Sequence, residues 1–169
     1  MNSQQILDDA WLGIAVDEDK LFNPMDFVID SSDNDDLLER IAWLMMRPEY
    51  FSFACKYILN IELSPFQALI LYELWNRKFP MLIGSRGMGK SFILSVYPLL
   101  RALFMPRRKI IVVGAAFRQS KVLFEYMDTI WKNAPILRDL CDNNSGPRRD
   151  VDRCVMHINH STITCLPLG

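Results

Sequence analysis

The chain has 169 residues, half of them hydrophobic and 23% charged, with 7 glycines and 9 prolines. This composition predicts one ordinary globular domain and excludes a chain that is disordered throughout. No uncharged apolar run reaches the ~18 residues of a membrane span. The four cysteines form no CxxC pair and no cleavable leader is recognised, so the sequence predicts a protein of the reducing cytosol.

The net charge of −1 hides an asymmetry between the two parts of the chain. The first 40 residues carry 11 acidic and 2 basic side chains, whereas the rest carry 9 acidic and 17 basic ones. The acidic leader is open to three interpretations: a solvated face, a flexible arm, or a cover for a basic surface. The basic remainder favours a polyanionic partner.

The N-terminal third is predicted to be mainly helical. Residues 1–12 fit a short helix, and turn signals in 13–34 predict irregular structure. Apolar residues at helical spacing predict a helix over 35–46, and an aromatic-rich segment predicts a second helix over 49–60. We therefore expect an acidic, mainly helical region over residues 1–60.

The next helix has a well-marked start. Ser64 is suited to the N-cap, Pro65 to the first helical position and Gln67 to the third, where its side chain can complete a capping box. Three independent signals therefore place this helix start at the same residues.

Beyond that helix, apolar strand patterns alternate with helical ones, which is typical of an α/β fold. The continuous apolar strands favour a parallel sheet covered on both faces. Pro98 is expected to kink its helix or to end the first half of it. The predicted elements are strands over 79–84 and 109–115, helices over 91–105, 117–133 and 134–140, a loop over 142–150, and a strand pair over 153–158 and 161–168.

The segment GSRGMGKS matches the phosphate-binding pattern GxxxxGK[ST] between a predicted strand and a predicted helix. Glycines let the backbone wrap closely around a phosphate with its N–H groups turned inward, and the helix start adds a positive dipole end. The sequence thus predicts a nucleotide-phosphate site made of Gly84, Ser85, Arg86, Gly87, Met88, Gly89, Lys90 and Ser91.

Individual roles follow from side-chain chemistry. Lys90 is expected to reach the β- and γ-phosphate oxygens of ATP, and the Ser91 hydroxyl to be a ligand of Mg²⁺. Arg86 can contact the γ-phosphate, face a neighbouring domain, or stay in solvent. Met88 is expected to pack or simply to span the loop.

Gln67 has two interpretations that the sequence leaves about even. Its side chain can cap the backbone amide of Ser64. The same amide group offers a donor and an acceptor that can read the edge of adenine.

Three weaker patterns favour structural interpretations. The spacing C-x2-H-x2-H-x4-C of Cys154, His157, His160 and Cys165 is compatible with zinc, but strand alternation sends Cys154 and His157 to opposite faces, which favours a plain hairpin. The aromatic run Trp43, Tyr50, Phe51, Phe53 and Tyr57 is interpreted as a helical core stripe rather than a base-stacking surface. The basic run 107–109 is interpreted as a solvated turn rather than a DNA contact.

Four segments together resemble the large terminase subunit of tailed bacteriophages: FQ at 66–67, LIGSRGMGKSF, IIVVGAAFRQSKVLFEYM and INHSTITCLPLG. The resemblance covers about residues 60–169, and VVGAAFRQSK is its most specific part. It implies a DNA-packaging ATPase with a P-loop core of the additional-strand class, followed by a nuclease. It also implies that Gln67 reads adenine, that Arg86 is the arginine of the phosphate loop, and that Lys90 and Ser91 serve phosphate and magnesium.

The family pattern also implies features that this chain does not supply. The Walker B strand with its acidic pair would follow residue 169, so we expect residues 61–169 to be an incomplete ATPase core without the nuclease. The implied cofactors are ATP and Mg²⁺, and the implied partners are double-stranded viral DNA, the portal protein, the small terminase subunit and further copies in a ring, in the bacterial cytoplasm at the procapsid portal. The alternatives are a nucleotide-binding or interaction fragment without hydrolysis, or another P-loop enzyme such as a helicase or a small-molecule kinase.

Overall fold

The computed structural model describes residues 34–141, 146–151 and 153–167. The predicted helix over 1–12 and the irregular segment over 13–33 lie outside the described residues. None of the helices in the described ranges is both long and apolar enough to cross a membrane.

The N-terminal helices agree closely with the sequence prediction. Helix α1 spans Asn34–Met45, a 3-10 turn spans Pro48–Tyr50, and helix α2 spans Phe51–Ile58. Asn60 follows α2 with a positive φ of 53°, the left-handed conformation that asparagine tolerates at a helix end. Helix α3 spans Pro65–Asn76 and starts where predicted.

Three further helices follow the glycine loop. Helix α4 spans Lys90–Phe104, α5 spans Phe117–Asn133 and α6 spans Pro135–Asp139. Pro98 lies inside α4 and is buried, so of its two predicted effects the end of the first half of the helix was wrong, while the kink stays a prediction. The apolar neighbours of Pro98, which are also buried, hold this helix through the position where one hydrogen bond is missing.

Within the part of the chain that the structure describes, the strands form one four-stranded sheet in the order β1-β4-β3-β2, with β1 Lys109–Gly114, β2 Arg148–Arg149, β3 Cys154–Ile158 and β4 Ser161–Pro167. Strand β1 pairs with β4 in parallel, whereas β3 pairs antiparallel with both β4 and β2. The fold is therefore mixed α/β, and the predicted parallel sheet is parallel only between β1 and β4. The reason is the predicted strand pair itself, because Asn159 and His160 form a two-residue turn with φ of 47° and 60°, as a tight hairpin requires.

The segment over 79–84 was predicted to be a strand and is not one. It pairs with none of the four strands, although its side chains alternate as in an extended chain: Leu82 packs against the core, whereas Met81 is 84% and Ile83 82% exposed. A strand needs a neighbour to satisfy its hydrogen bonds, and this segment pairs with neither edge strand of the described sheet, β1 or β2.

The core lies between the helices and one face of the sheet. Helices α4 and α5 pack on each other and on β4, and α5 also packs on β1. We call this the inner face, and its fully buried apolar side chains are Cys154, Met156, Ile158, Ile163 and Cys165. The alternate side chains point to the opposite, outer face, where Ile111, Val113 and His157 are exposed.

Candidate functional site: the glycine loop and its neighbours

The glycine loop, residues 84–91, joins the extended segment to helix α4. Gly87 has a φ of 87° and Gly89 a φ of 71°, the left-handed region in which an L side chain is strained. Gly89 is also the N-cap of α4. The backbone therefore requires glycine at these two positions, where the chain bends back toward the first turn of the helix.

The start of α4 has no N-cap side chain to satisfy its first donors. The Gly89 N-cap makes no side-chain hydrogen bond, unlike the start of α3, and α4 is 15 residues long. The first N–H groups of a helix have no partner within the helix, and they lie at the positive end of its dipole. Together with the loop backbone they can hold an anion.

Lys90 places its ammonium group within the loop. Its Nζ donates to the Gly84 carbonyl oxygen at 2.6 Å and also to the Ser85 carbonyl oxygen. The residue is half-buried, while Ser85, Arg86 and Ser91 are exposed. A cation held by loop carbonyls can exchange those weak acceptors for phosphate oxygens, which make stronger charge-assisted bonds.

Gln67 lies next to this loop and also caps its own helix. Its Oε1 accepts from the Ser64 N–H at 3.0 Å, and the Gln67 N–H donates to Ser64 Oγ at 3.4 Å, which confirms the predicted capping box. Its Nε2 faces the loop closely enough that a Cβ added to Gly89 would lie 3.1 Å from it. The two interpretations of Gln67 are thus compatible in geometry, although adenine recognition stays a prediction.

Arg86 and Met88 occupy the tip and the base of the loop. Arg86 is exposed in the turn, where a long guanidinium can sweep over a bound phosphate or reach outward. Met88 folds back onto the loop, since a Cβ on Gly84 would lie 2.5 Å from its Sδ. Met88 therefore packs within the loop, as one of its two predicted roles requires.

Magnesium would have few protein ligands at this site. The described ranges contain no group of three or more His, Cys, Asp or Glu side chains that could hold a metal. Mg²⁺ commonly keeps several waters and takes its other ligands from a nucleotide and one or two side chains. The exposed Ser91 hydroxyl at the helix start fits that limited role.

The cysteines and histidines of the C-x2-H-x2-H-x4-C pattern are divided between the two sheet faces. Cys154 and Cys165 are buried opposite each other on the inner face, and burial raises the pKa of the Cys165 thiol to about 12. His157 lies on the outer face, where its Nδ1 is 3.2 Å from Thr162 Oγ1. The structure therefore has the strand alternation that favoured a plain hairpin over a zinc site.

The aromatic stripe of the N-terminal helices is only partly core. Phe51 is 1% exposed and packs edge-on against Trp75 at a centroid distance of 4.6 Å. Trp43 and Tyr57, by contrast, are half exposed, and Arg47 stacks over the Trp43 ring at 4.1 Å. The core interpretation holds for Phe51 and was wrong for these two side chains.

A cluster of charged side chains at the start of the β2–β3 pair was not predicted from the sequence. Arg148 Nε donates to Asp150 Oδ1 at 3.0 Å, and Arg153 Nε donates to the other oxygen, Oδ2, at 3.4 Å. These bonds hold the pKa of the Asp150 carboxyl below its usual value, with the Arg148 hydrogen bond as the main cause. The alternating charges in RRDVDR were the available signal, but residues 142–150 were interpreted only as a loop.

Comparison with protein-family models gave no match, and comparison with curated proteins gave no match either.

Proposed function

We propose that the chain is the ATP-binding part of a viral DNA-packaging motor of the large-terminase type, built on a P-loop core of the additional-strand class. The observation that carries the proposal is the glycine loop: two glycines with positive φ lead into an uncapped helix start, with the Lys90 ammonium inside the turn. This arrangement concentrates donors and positive charge at the turn where a phosphate group would bind.

The residues around the loop would divide the work of nucleotide binding. Lys90 would leave the Gly84 and Ser85 carbonyls and bind the β- and γ-phosphate oxygens, while Ser91 would contact the Mg²⁺ that neutralises phosphate charge. Gln67 would present Nε2 to the base from the adjacent helix start, and Arg86 would contact the γ-phosphate from the exposed tip.

The wider role comes from the resemblance described above. In it, ATP hydrolysis drives double-stranded viral DNA into a procapsid, and copies of the subunit form a ring on the portal with a small terminase subunit in the bacterial cytoplasm. Sequence segments on both sides of the loop support this proposal over a helicase or a small-molecule kinase.

A second candidate is nucleotide binding without hydrolysis. Residues 84–91 make no described hydrogen bond or ion pair with a carboxylate. The two described hydrogen bonds of the Lys90 side chain go to backbone oxygens. Hydrolysis by P-loop enzymes needs a residue that orients the attacking water. Turnover, rather than binding, therefore separates the two candidates.

The test is calorimetric titration with ATP and Mg²⁺, followed by phosphate release on the same samples. We expect Lys90→Ala to bind ATP about 10- to 100-fold more weakly, since a hydrogen bond between charged groups contributes about 1.5–3 kcal/mol. The matched control is Lys78→Ala, because Lys78 is an exposed lysine just before the loop. Equal affinity in both variants, or no ATP binding by the parent chain, would refute the proposed site.

The two roles of Gln67 can be separated in the same assay. Ser64→Ala removes the hydroxyl of the capping box but keeps the amide of Gln67, whereas Gln67→Ala removes the amide that both caps the Ser64 N–H and faces Gly89. If Gln67 reads adenine, only Gln67→Ala reduces the preference for ATP over GTP. A similar loss in both variants would assign Gln67 to capping alone.

A further inference from the structure

The outer face of the sheet has a cationic surface that the glycine loop does not use. We define the arginine face as Lys109, Arg148, Asp150, Arg153, His157, Thr162 and Thr164. A partly open cavity of about 310 Å³ lies on it, lined by Arg148, Asp150, Arg153, Val155, His157 and the two threonines. The side chains of Arg148 and Arg153 are 77% and 57% exposed, so both guanidinium groups face solvent.

Asp150 orients the two arginines without using their whole hydrogen-bonding capacity. Each guanidinium donates to the carboxylate through Nε, and within the described ranges no protein partner is found for their terminal Nη groups. A backbone bond of 2.8 Å from Asp150 N to Arg153 O closes the turn between them. Nη groups that no described residue occupies can donate to oxygens of an anion, which arginine binds in a bidentate way.

The register of the strands extends this surface across the sheet. Lys109 on β1 lies beside Thr162, which lies opposite His157 on β3, and Thr164 lies opposite Val155, whose other neighbour is Arg148. With strands about 4.8 Å apart, three spacings separate β1 from β2 by about 14 Å. Cations and hydroxyl groups are therefore spread along a line rather than converging on one point.

We propose that the arginine face binds the phosphate backbone of double-stranded DNA. The partner itself rests on the proposed function, while the surface rests on the contacts above. A site that encloses a small ligand buries most of that ligand, whereas this cavity is partly open to solvent and its cations lie along a line, as an extended polyanion requires. The outer-face side chains of the four described strands include no Phe, Tyr or Trp, so stacking of single-stranded bases has no platform there.

This binding is expected to be independent of DNA sequence and sensitive to salt. Contacts to phosphate displace condensed counterions, so the affinity falls with salt by a slope of about −0.9 for each phosphate that is neutralised. Removing both arginines should therefore make the slope of log K against log salt shallower by about two.

The experiment measures fluorescence anisotropy of a labelled DNA duplex between about 50 and 200 mM salt, without nucleotide. We compare the parent chain with the double variant Arg148→Ala/Arg153→Ala. The matched control is Lys56→Ala/Arg77→Ala, which removes the same charge from two exposed cations that are also ion-paired, to Glu62 and Glu73. The expected result is weaker binding and a shallower slope in the arginine variant only.

Equal weakening in both double variants would overturn the proposal, because binding would then follow net charge alone. Failure of the parent chain to bind the duplex, or loss of ATP binding rather than DNA binding in the arginine variant, would also overturn it. Lys90→Ala tests nucleotide binding separately, so a failure of the proposed function and a failure of the DNA-binding proposal can be told apart.

A second variant keeps the test decisive if the double variant does not fold. Thr164→Glu adds a negative charge to the arginine face at a half-buried strand position and leaves both arginines unsubstituted. We expect it to weaken duplex binding while leaving ATP binding unchanged. Unchanged duplex affinity in a folded Thr164→Glu variant would contradict the proposal.

Discussion

The inner and outer faces of the sheet use the same strands for different purposes. On β4, Ser161, Ile163 and Cys165 point inward and are buried, whereas Thr162 and Thr164 point outward and stay partly exposed. Helices α4 and α5 pack on this sheet and contribute to the same core, while the outer face has Ile111 62% exposed beside cations and hydroxyl groups. Stability is thus concentrated on one face, which leaves the other face free to take on a binding role.

The largest effect expected from this comparison is a pair of neighbouring substitutions on β4. Ile163→Ala should reduce the free energy of unfolding by about 2–5 kcal/mol, because it leaves a cavity in a fully buried site. Thr164→Ala, one residue away on the outer face, should cost less than about 1 kcal/mol. Guanidinium unfolding followed by circular dichroism measures both, and equal losses would show that the outer face is also covered in solution.

An intermediate effect is expected at Ser161, a buried polar residue on the inner face. Its Oγ accepts from Arg108 N at 3.0 Å and donates to Met105 O at 2.9 Å, which ties the end of α4 to the approach to β1. Ser161→Ala would leave both backbone groups without this partner and should cost about 1–3 kcal/mol. Thermal unfolding compared with Thr162→Ala measures it, and a loss no larger than that control would disprove the role of this hydroxyl.

The smallest effect concerns the charge of Asp150 on the outer face. Hydrogen bonds from Arg148 and then Arg153 hold its pKa below the ordinary carboxyl value. Arg148→Ala should raise this pKa more than Arg153→Ala, because the Arg148 bond is shorter, 3.0 against 3.4 Å. A pH titration of the Asp150 carboxyl carbon by NMR measures the order, and the reverse order would contradict the geometry.

The same pKa shift fixes the direction of a pH effect on stability. Since the pKa of Asp150 is lower in the folded state, its contribution is present above the unfolded value of about 3.9. The contribution is lost as the pH falls through the folded value. Arg148→Ala should therefore make the free energy of unfolding fall less steeply as the pH drops through this range. Near neutral pH the substitution should not make the free energy of unfolding depend on pH.

Local signals were predicted well because their partners lie close in sequence. The capping box joins Ser64 to Gln67 within one helical turn, and the β3–β4 hairpin closes through Asn159 and His160. The positive φ angles of Gly87 and Gly89 likewise belong to a pattern of eight consecutive residues. In each case the physical cause is a short-range hydrogen bond or a steric limit on the backbone.

Features that depend on distant neighbours were not predictable in this way. The apolar run at 79–84 has the composition of a strand, but pairing decides whether it becomes one. The arginine face was missed as a surface because Lys109 and Thr162 come beside the local Arg148–Asp150–Arg153 cluster only through the sheet register. Strand patterns do not reveal which face a helix will cover.

The sequence by itself determined the helix starts, the hairpin and the glycine loop with Lys90 at its end, since each follows from interactions within a few residues. Only the tertiary structure decided the mixed sheet, the position of Gln67 beside Gly89 and the open outer face. These depend on which surfaces far apart in the chain exclude water from each other, and on which backbone groups find partners there.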